Sequence, residues 1–326
     1  MRRQPVLVVL RALGLGDLCT AVPALRALAD AYPRHRRVLL TTAGVAPLAA
    51  AAGLADEVVT TEDPRSRVHS VRKPHAMYSG SVDVAVNLHG KGPESHRALL
   101  AAGPRRLIAF GTAGVPGPAW RADEHEVHRW CRLLRESGVP ADPGRLDLDL
   151  PAAPVPDGVA GSTVVHPGAA YPARRWPAAR WAAVARAEAS AGRAVVVTGG
   201  ASEAGLARGV AAAAGLPSSA VLAGATGVVE LAAVVGAAGR VVCGDTGVAH
   251  LATALRRPSV VLFGPVPPSL WGPPPDRPWH TALWAGRTGD PWAASVDGGL
   301  LEIGVDDVLA ALDGLPAAEP VAAAPA

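Results

Sequence analysis

The stretch Val6-Leu7-Val8-Val9-Leu10-Arg11-Ala12-Leu13-Gly14-Leu15-Gly16-Asp17 opens on five consecutive apolar residues and closes on a glycine-rich turn. A short apolar run bounded by a turn signal is the pattern of a strand buried on both faces. Thr20–Tyr32 then carries apolar residues at helical spacing and stops at Pro33. Strand, turn and helix in that order open a βα unit. The alternation continues outward. Val38–Thr42, Glu57–Thr60, Val82–Leu88 and Arg105–Phe110 read as strands, and Pro47–Ala52 and Glu124–Ser137 as helices. The last of these puts Val127, Trp130, Leu133 and Leu134 on one face.

Residues 151–158, PAAPVPDG, hold three prolines and a glycine, the composition of a crossing between domains. The alternation then restarts. Strands are expected at Thr163–Val165, Ala194–Thr198, Ala220–Leu222, Arg240–Cys243 and Ser259–Phe263. Helices are expected at Pro177–Ala191 (with Pro177 in its first turn), Ser202–Ala214, Val228–Ala238, Val248–Leu255 and Val305–Leu312. The fold class is therefore α/β, with two doubly wound, Rossmann-like domains. The expected boundaries are 1–155, 156–313 and an Ala/Pro-rich disordered tail, 314–326.

Composition narrows the function classes. The chain has 326 residues, 49% hydrophobic and 18% charged, enough to bury a large core. The net charge is only +3, and Lys73 and Lys91 are the only lysines among 31 basic residues. No Arg/Lys run with interleaved aromatics is present, which argues against a nucleic-acid partner. The small cationic surplus supports at most peripheral contact with an anionic membrane. Cys19, Cys131 and Cys243 are far apart and form no CxxC pair, which fits a reducing, cytoplasmic setting. The apolar run before Arg11 is too short for a signal-peptide core, and no stretch is suited to span a membrane.

In doubly wound folds ligands bind beyond the carboxyl ends of the strands, so the loops there carry the candidates. Gly14-Leu15-Gly16-Asp17 lacks the third glycine of a dinucleotide fingerprint, since Cys19 stands in its place. The expected acidic ribose partner is missing too, because the second strand ends in Thr41-Thr42. Asp17 reads equally as a helix cap or as a base that takes a proton from a substrate hydroxyl. Gly244-Asp245-Thr246-Gly247-Val248-Ala249-His250 offers free backbone N–H groups at a helix start, the Thr246 hydroxyl, and His250 one turn on, all suited to phosphate unless they simply cap a helix. The single Asp-Thr-Gly in an α/β setting is not an aspartic-protease dyad.

His166–Pro177 carries Arg174 and Arg175, either a phosphate-binding pair or a solvated face, and Trp176, which reads as packing. Gly199-Gly200-Ala201-Ser202-Glu203 places Glu203 to bind a ribose diol or to complement a helix dipole. His89-Gly90-Lys91 is a further ligand loop, with His89 structural or functional and Lys91 able to reach an acceptor. No histidine spacing of the HExxH kind occurs, so no metal site is expected.

Together these loops resemble glycosyltransferase family 9, the ADP-heptose:lipopolysaccharide heptosyltransferase family, over roughly residues 5–313. The resemblance is carried by VLVVLRALGLGDLCTAVPALRALADAYP, VDVAVNLHGKG, HEVHRWCRLLRESGVP, VVHPGAAYPARRWPAARWAAVA, VVVTGGASE and the stretch from LAGATGVVELAAVVGAAGRVVCGDTGVAHLATA through VVLFGPVPPSLWGP. It implies a GT-B fold, two Rossmann-like domains facing a cleft, with the last helix able to pack back on the first. It implies a nucleotide-diphospho-sugar donor on the C-terminal domain, an ADP-sugar by preference, and no cofactor. It implies a glycan, glycolipid or small-molecule acceptor on the N-terminal domain. The family's catalytic base falls on Asp17. Its phosphate-binding motif falls on Thr246, Gly247 and His250, with Asp245 at the donor sugar. Its basic residue before Trp-Pro, often Lys, falls on Arg174, and its ribose-binding residue on Glu203. Gly16, His89 and Lys91 fall on the acceptor side. The expected acceptor-facing segments, 61–80 and 111–123, carry no pattern that names an acceptor. Residues 286–299 lack the cysteines that many members carry there.

The reading is a metal-independent, inverting transfer of a sugar, with a heptose among the candidates. Two rivals share the architecture: a nucleotide-sugar epimerase, which needs no acceptor, and a non-catalytic nucleotide-sugar-binding protein, whose hallmark would be loss of the acid at position 17.

Overall fold

The computed structural model describes residues 4–61, 82–151 and 153–318. Most of the expected acceptor segment 61–80 and the end of the expected tail, 319–326, lie outside the described residues. The chain divides into two units, Met1–Leu150 and Pro151–Ala326, with the division at the start of the proline-rich stretch. Each unit holds a five-stranded sheet whose strands pair in parallel.

In the first unit β1 (Val6–Leu10), β2 (Arg36–Thr41), β3 (Glu57–Thr60), β4 (Val82–Asn87) and β5 (Arg106–Ile108) lie in the order β3-β2-β1-β4-β5. All five residues of β1 are buried, as a central parallel strand requires. Val6, Val8, Leu10, Val38, Leu40, Val82 and Ala85 build one core with Leu99 from a helix. The helices are α1 (Leu15–Ala31), α2 (Ala46–Ala51), α3 (Glu94–Leu100) and α4 (Glu126–Glu136). Helix α1 starts at Leu15, ahead of the expected Thr20. The Asp17 carboxylate accounts for this: its Oδ2 accepts the Gly14 N–H at 3.2 Å and satisfies a donor that a helix start leaves unpaired. Helix α4 packs against α1 and buries Val127, Trp130, Leu133 and Leu134, the face its periodicity indicated.

In the second unit β6 (Thr163–His166), β7 (Val195–Val197), β8 (Arg240–Gly244), β9 (Ser259–Phe263) and β10 (His280–Trp284) lie in the order β10-β9-β8-β6-β7. Between them run α5 (Ala178–Ser190), α6 (Ala204–Ala214), α7 (Val228–Ala237), α8 (Gly247–Ala254) and α9 (Pro268–Trp271), and α10 (Gly298–Glu302) and α11 (Val305–Asp313) close the unit. Pro177 caps α5 rather than standing in its first turn. The strand expected at Ala220–Leu222 is instead a 3₁₀ turn, Ser218–Ala220, followed by a single bridge from Val221 to Val197. Helix α11 packs on α5 and β9 within the second unit.

Both sheets change winding direction once, between β1 and β4 in the first and between β6 and β8 in the second. Ligands of doubly wound sheets bind at such points. The loops there are Arg11–Asp17 with His89–Lys91, and His166–Arg175 with Gly244–Gly247.

At the opposite end of the second sheet from its ligand loops, where β6 and β8 begin, an ion pair ties the two strands to α5. Glu188 of α5 is buried, accepts the Thr163 hydroxyl of β6 at 2.5 Å and pairs with Arg240 of β8 at 2.7 Å. Arg240 also donates to the Leu312 carbonyl of α11 at 2.8 Å. Removing one partner leaves a buried charge uncompensated, so Glu188→Ala is expected to lower stability by roughly 3–5 kcal/mol. Denaturant unfolding followed by tryptophan fluorescence measures this, and a change within the noise would show that Arg240 finds another partner.

Candidate active site

The candidate site of the first unit begins where β1 ends. Arg11 continues the ladder, its N–H donating to Leu40 O at 2.9 Å, and so its side chain lies in the interior. Only 1% of the residue is exposed. A guanidinium so placed must use its donors internally. Nε donates to the Asp17 carbonyl at 2.8 Å and Nη1 to the Leu88 carbonyl at 2.6 Å. Nη2 reaches Asp17 Oδ1 at 3.1 Å, Thr20 Oγ1 at 3.3 Å and Glu126 Oε1 at 2.9 Å. The Trp130 ring covers the guanidinium at 4.9 Å. Asp17 therefore has Oδ1 held by Arg11 and Oδ2 by the Gly14 amide, while 27% of its side chain stays accessible.

Glu126 at the start of α4 is buried and also accepts the Trp130 Nε1–H at 2.8 Å and a bond from Arg129. Burial pushes its carboxyl up, but Arg11 and Arg129 beside it, with the bonds from Arg11 and Trp130, hold it below the ordinary glutamate range. Neither Arg11 nor Glu126 was singled out from the sequence. They lie 115 residues apart, and only the fold joins them.

Gly16 occupies the second position of α1, and His89 and Lys91 follow the adjacent strand β4, so the acceptor-side candidates share one sheet end with Asp17. His89 is buried and its N–H donates to Asn87 Oδ1 at 3.0 Å, whereas Lys91 is exposed. The expected acceptor segment 111–123 is fastened to α4. Trp120 packs on Phe110 and Trp130, Arg129 stacks on Trp120 at 4.4 Å and bonds the Glu124 carbonyl, and Arg132 bonds the Ala119 carbonyl.

The candidate site of the second unit forms beyond β6, β7 and β8. A 3₁₀ turn, Pro172–Arg174, crosses directly over Gly244, where a Cβ would lie 3.3 Å from the Arg174 carbonyl. Backbone bonds from Ala173 N to Ala293 O and from Asp297 N to Ala173 O fix the turn. Arg174 Nη1 thereby comes to 3.7 Å from Asp245 Oδ2, an ion pair longer than a hydrogen bond. Arg174 Nε is buried and has no hydrogen-bond partner among the described residues. The same holds for Thr246 Oγ1, which does not cap the helix it precedes. Gly247 opens α8 with its first amides unused by the helix, and His250 lies one turn on with its ring edge-on to Trp271 at 5.6 Å.

Arg175 is used structurally, donating to the Ala169 carbonyl at 2.8 Å, and Trp176 packs as expected, against Trp181 with its Nε1–H on the Ile303 carbonyl. Glu203 accepts the Gly200 amide at 2.8 Å, and its carboxylate lies over Gly168, where a Cβ would meet Oε1 at 2.1 Å. His166 below it bonds Thr198 Oγ1 at 3.0 Å, and burial pulls its pKa down against the pull of Glu203. Among the described residues no group of three His, Cys, Asp or Glu side chains is arranged to hold a metal ion. No helix among them is long and apolar enough to cross a membrane.

A buried hydroxyl without a partner at a helix start, beside a half-used guanidinium, offers donors of the kind an anion can use. With two doubly wound units, the architecture is that of the GT-B glycosyltransferases. Residues 118–288, just over half of the chain, match the family model for glycosyltransferase family 9 (heptosyltransferase). The chain belongs to that family and is a glycosyltransferase. No curated protein matches the sequence. Among solved structures, the fold is similar to ADP-heptose lps heptosyltransferase II of E. coli, with TM-score 0.74 and 21% identity over 94% of this chain and 97% of that one. It is also similar to a family 9 glycosyl transferase of Veillonella parvula, with TM-score 0.78 and 19% identity over 95% and 96%. The E. coli heptosyltransferase WaaC with ADP gives TM-score 0.69 and 16% identity over 94% and 98%.

The Asp245 carboxyl is pushed up to about 6 by burial, against the lowering effect of Arg174. A carboxyl raised in the folded state binds more protons there than in the unfolded chain between about pH 4 and pH 6, so its contribution to stability falls as pH rises through that window. The loss is at most about 3 kcal/mol. Thermal unfolding at pH 5 and pH 7 should therefore show a smaller difference for Asp245→Asn than for the native chain, and an identical pH response would place Asp245 in a more polar setting.

Proposed function

We propose that the enzyme transfers a sugar, with inversion, from a nucleotide-diphospho-sugar to an acceptor hydroxyl, and that the donor is an ADP-sugar such as ADP-heptose. The observation that carries the reading is the unpartnered pair Arg174 Nε and Thr246 Oγ1 at the start of α8. Donors left without partners in a buried position cost stability unless a ligand uses them, and a diphosphate offers acceptor oxygens on several sides. Thr246, Gly247, His250 and Arg174 hold the diphosphate in this reading, Asp245 binds the donor sugar, and Glu203 accepts from the ribose. An ADP-bound state of WaaC, a heptosyltransferase of similar fold, supports the choice of base.

Asp17 takes the proton from the acceptor hydroxyl as its oxygen attacks the anomeric carbon opposite the leaving diphosphate. The bond to the diphosphate oxygen breaks with its electron pair, and the charge that grows there is met by the Arg174 guanidinium and the amides of α8. No metal enters this scheme, although the similar TibC of E. coli is described as iron-containing. Gly16, His89 and Lys91 lie on the acceptor side, the acceptor being a glycan, glycolipid or small molecule. Buried, unpaired Cys19, Cys131 and Cys243 suit a reducing compartment, and we place the enzyme in the cytoplasm.

Calorimetry with ADP, GDP and UDP should show binding of ADP in preference. Asp17→Ala should keep that affinity and lose about 10²–10⁴-fold in turnover of ADP-heptose with EDTA present. Native turnover in Asp17→Ala would overturn the base assignment. A methyl group at Gly168 would drive the Glu203 carboxylate from its place, so Gly168→Ala should weaken ADP by about tenfold, the worth of one charge-assisted hydrogen bond, with little change in melting temperature. Unchanged ADP affinity would remove Glu203 from the ribose.

A further inference from the structure

We propose that Arg11 and Glu126 are positioning residues for Asp17: the guanidinium fixes the carboxylate, and Glu126 sets how much of the cationic charge reaches it. The inference rests on the reading of Asp17 as base. One nitrogen, Arg11 Nη2, lies 3.1 Å from Asp17 Oδ1 and 2.9 Å from Glu126 Oε1. Two carboxylates therefore share one buried positive charge. A base paired with an undivided cation is held ionised but loses basicity, and a base with no cation is free to rotate. Division of the charge gives both orientation and proton affinity.

Arg11 is itself immobile, because Nε and Nη1 are committed to the carbonyls of Asp17 and Leu88. Glu126 is equally fixed, by Trp130 Nε1 on the same oxygen that meets Arg11 and by Arg129 on the other. Among the described residues, further charged or titratable groups beside the pair include Cys19 on α1 and Arg129 on α4. The Cys19 thiol is pushed up to about 12, by burial and by Asp17, and stays neutral. Arg129 faces Glu126 and tempers its charge without touching Asp17 in the bonds it makes to Glu126, Arg121, Ala122 and Glu124.

The test follows the Asp17 carboxyl carbon by ¹³C NMR against pH in the full chain without ligand, the signal being assigned by its loss in Asp17→Asn. Glu126→Gln removes a negative neighbour and leaves Arg11 wholly to Asp17, so the Asp17 midpoint should move down by about half to one pH unit. Arg11→Lys keeps a cation but loses the planar fork, so Asp17 Oδ1 loses the guanidinium bond and the midpoint should move up by a similar amount. It is the second variant should Glu126→Gln fail to fold. ADP release from ADP-heptose should fall about 10–100-fold in kcat in each, with KM within about threefold, since the donor groups are not touched. A role in folding alone would move neither midpoint. Unmoved midpoints with Asp17→Asn inactive would overturn the positioning role and leave the base reading standing. Native ADP release by Asp17→Asn would overturn the base reading and the positioning role together.

Discussion

A guanidinium buried at the end of a central strand is the constraint around which the first unit is organised. Arg11 follows five apolar residues in a strand with no access to water, and its side chain inherits that environment. The cost of an unpaired charge there would exceed what any single packing contact supplies. Its neighbours are therefore prescribed: two carboxylates, two backbone carbonyls and a hydroxyl, drawn from three segments of chain. Asp17 and Thr20 come from α1, Leu88 from the end of β4, and Glu126 from α4. One side chain thus fixes the positions of α1, α4 and the β4 loop, and the carboxylate proposed to act on the acceptor is one of the ligands of that charge.

The second unit treats charge differently, and the contrast bears on function. Its structural pair, Glu188 with Arg240, is closed by short contacts to Thr163 and to the Leu312 carbonyl. The pair near the helix start, Arg174 with Asp245, is longer at 3.7 Å and leaves Arg174 Nε idle. Glu188 and Asp245 are both buried, whereas the Arg240 side chain is 12% exposed and that of Arg174 24%. A closed pair stabilises the unit in which it lies. An open pair holds a cation in place while leaving donors for a third group. The fold keeps Arg174 open by anchoring its turn through the backbone of Ala173, so that the side chain need not supply the anchor.

The strands and helices that rest on local pattern were legible in the sequence. Val6–Leu10 and Val260–Phe263 are continuous apolar runs because parallel strands are covered on both faces, and α4 shows its periodicity because one face is buried. Strand β10 was not legible. His280–Trp284 is half-buried at a sheet edge and mixes polar with apolar residues. The start of α1 was misplaced because Gly14-Leu15-Gly16 reads as a turn, whereas the Asp17 carboxylate on the Gly14 amide makes it a helix start. The site loops were legible as loops after strands. Asp17 does cap the helix, one oxygen accepting the Gly14 amide, while its other oxygen is held by Arg11, a contact the sequence did not show.

What could not be read locally is the pairing of charges. Arginine is abundant in this chain, and nothing adjacent to Arg11 distinguishes it from Arg26 or Arg36, which lie in exposed or half-exposed ion pairs. Its significance comes from burial, which depends on strand order, and from Glu126, which arrives from a distant helix. At position 174 the identity of the side chain matters for a related reason. Lysine would offer a point charge that Asp245 could occupy alone. Arginine presents donors along a rigid plane, so the edge near Asp245 and the idle Nε serve different partners at once. The 3.7 Å gap to Asp245 leaves room for that division.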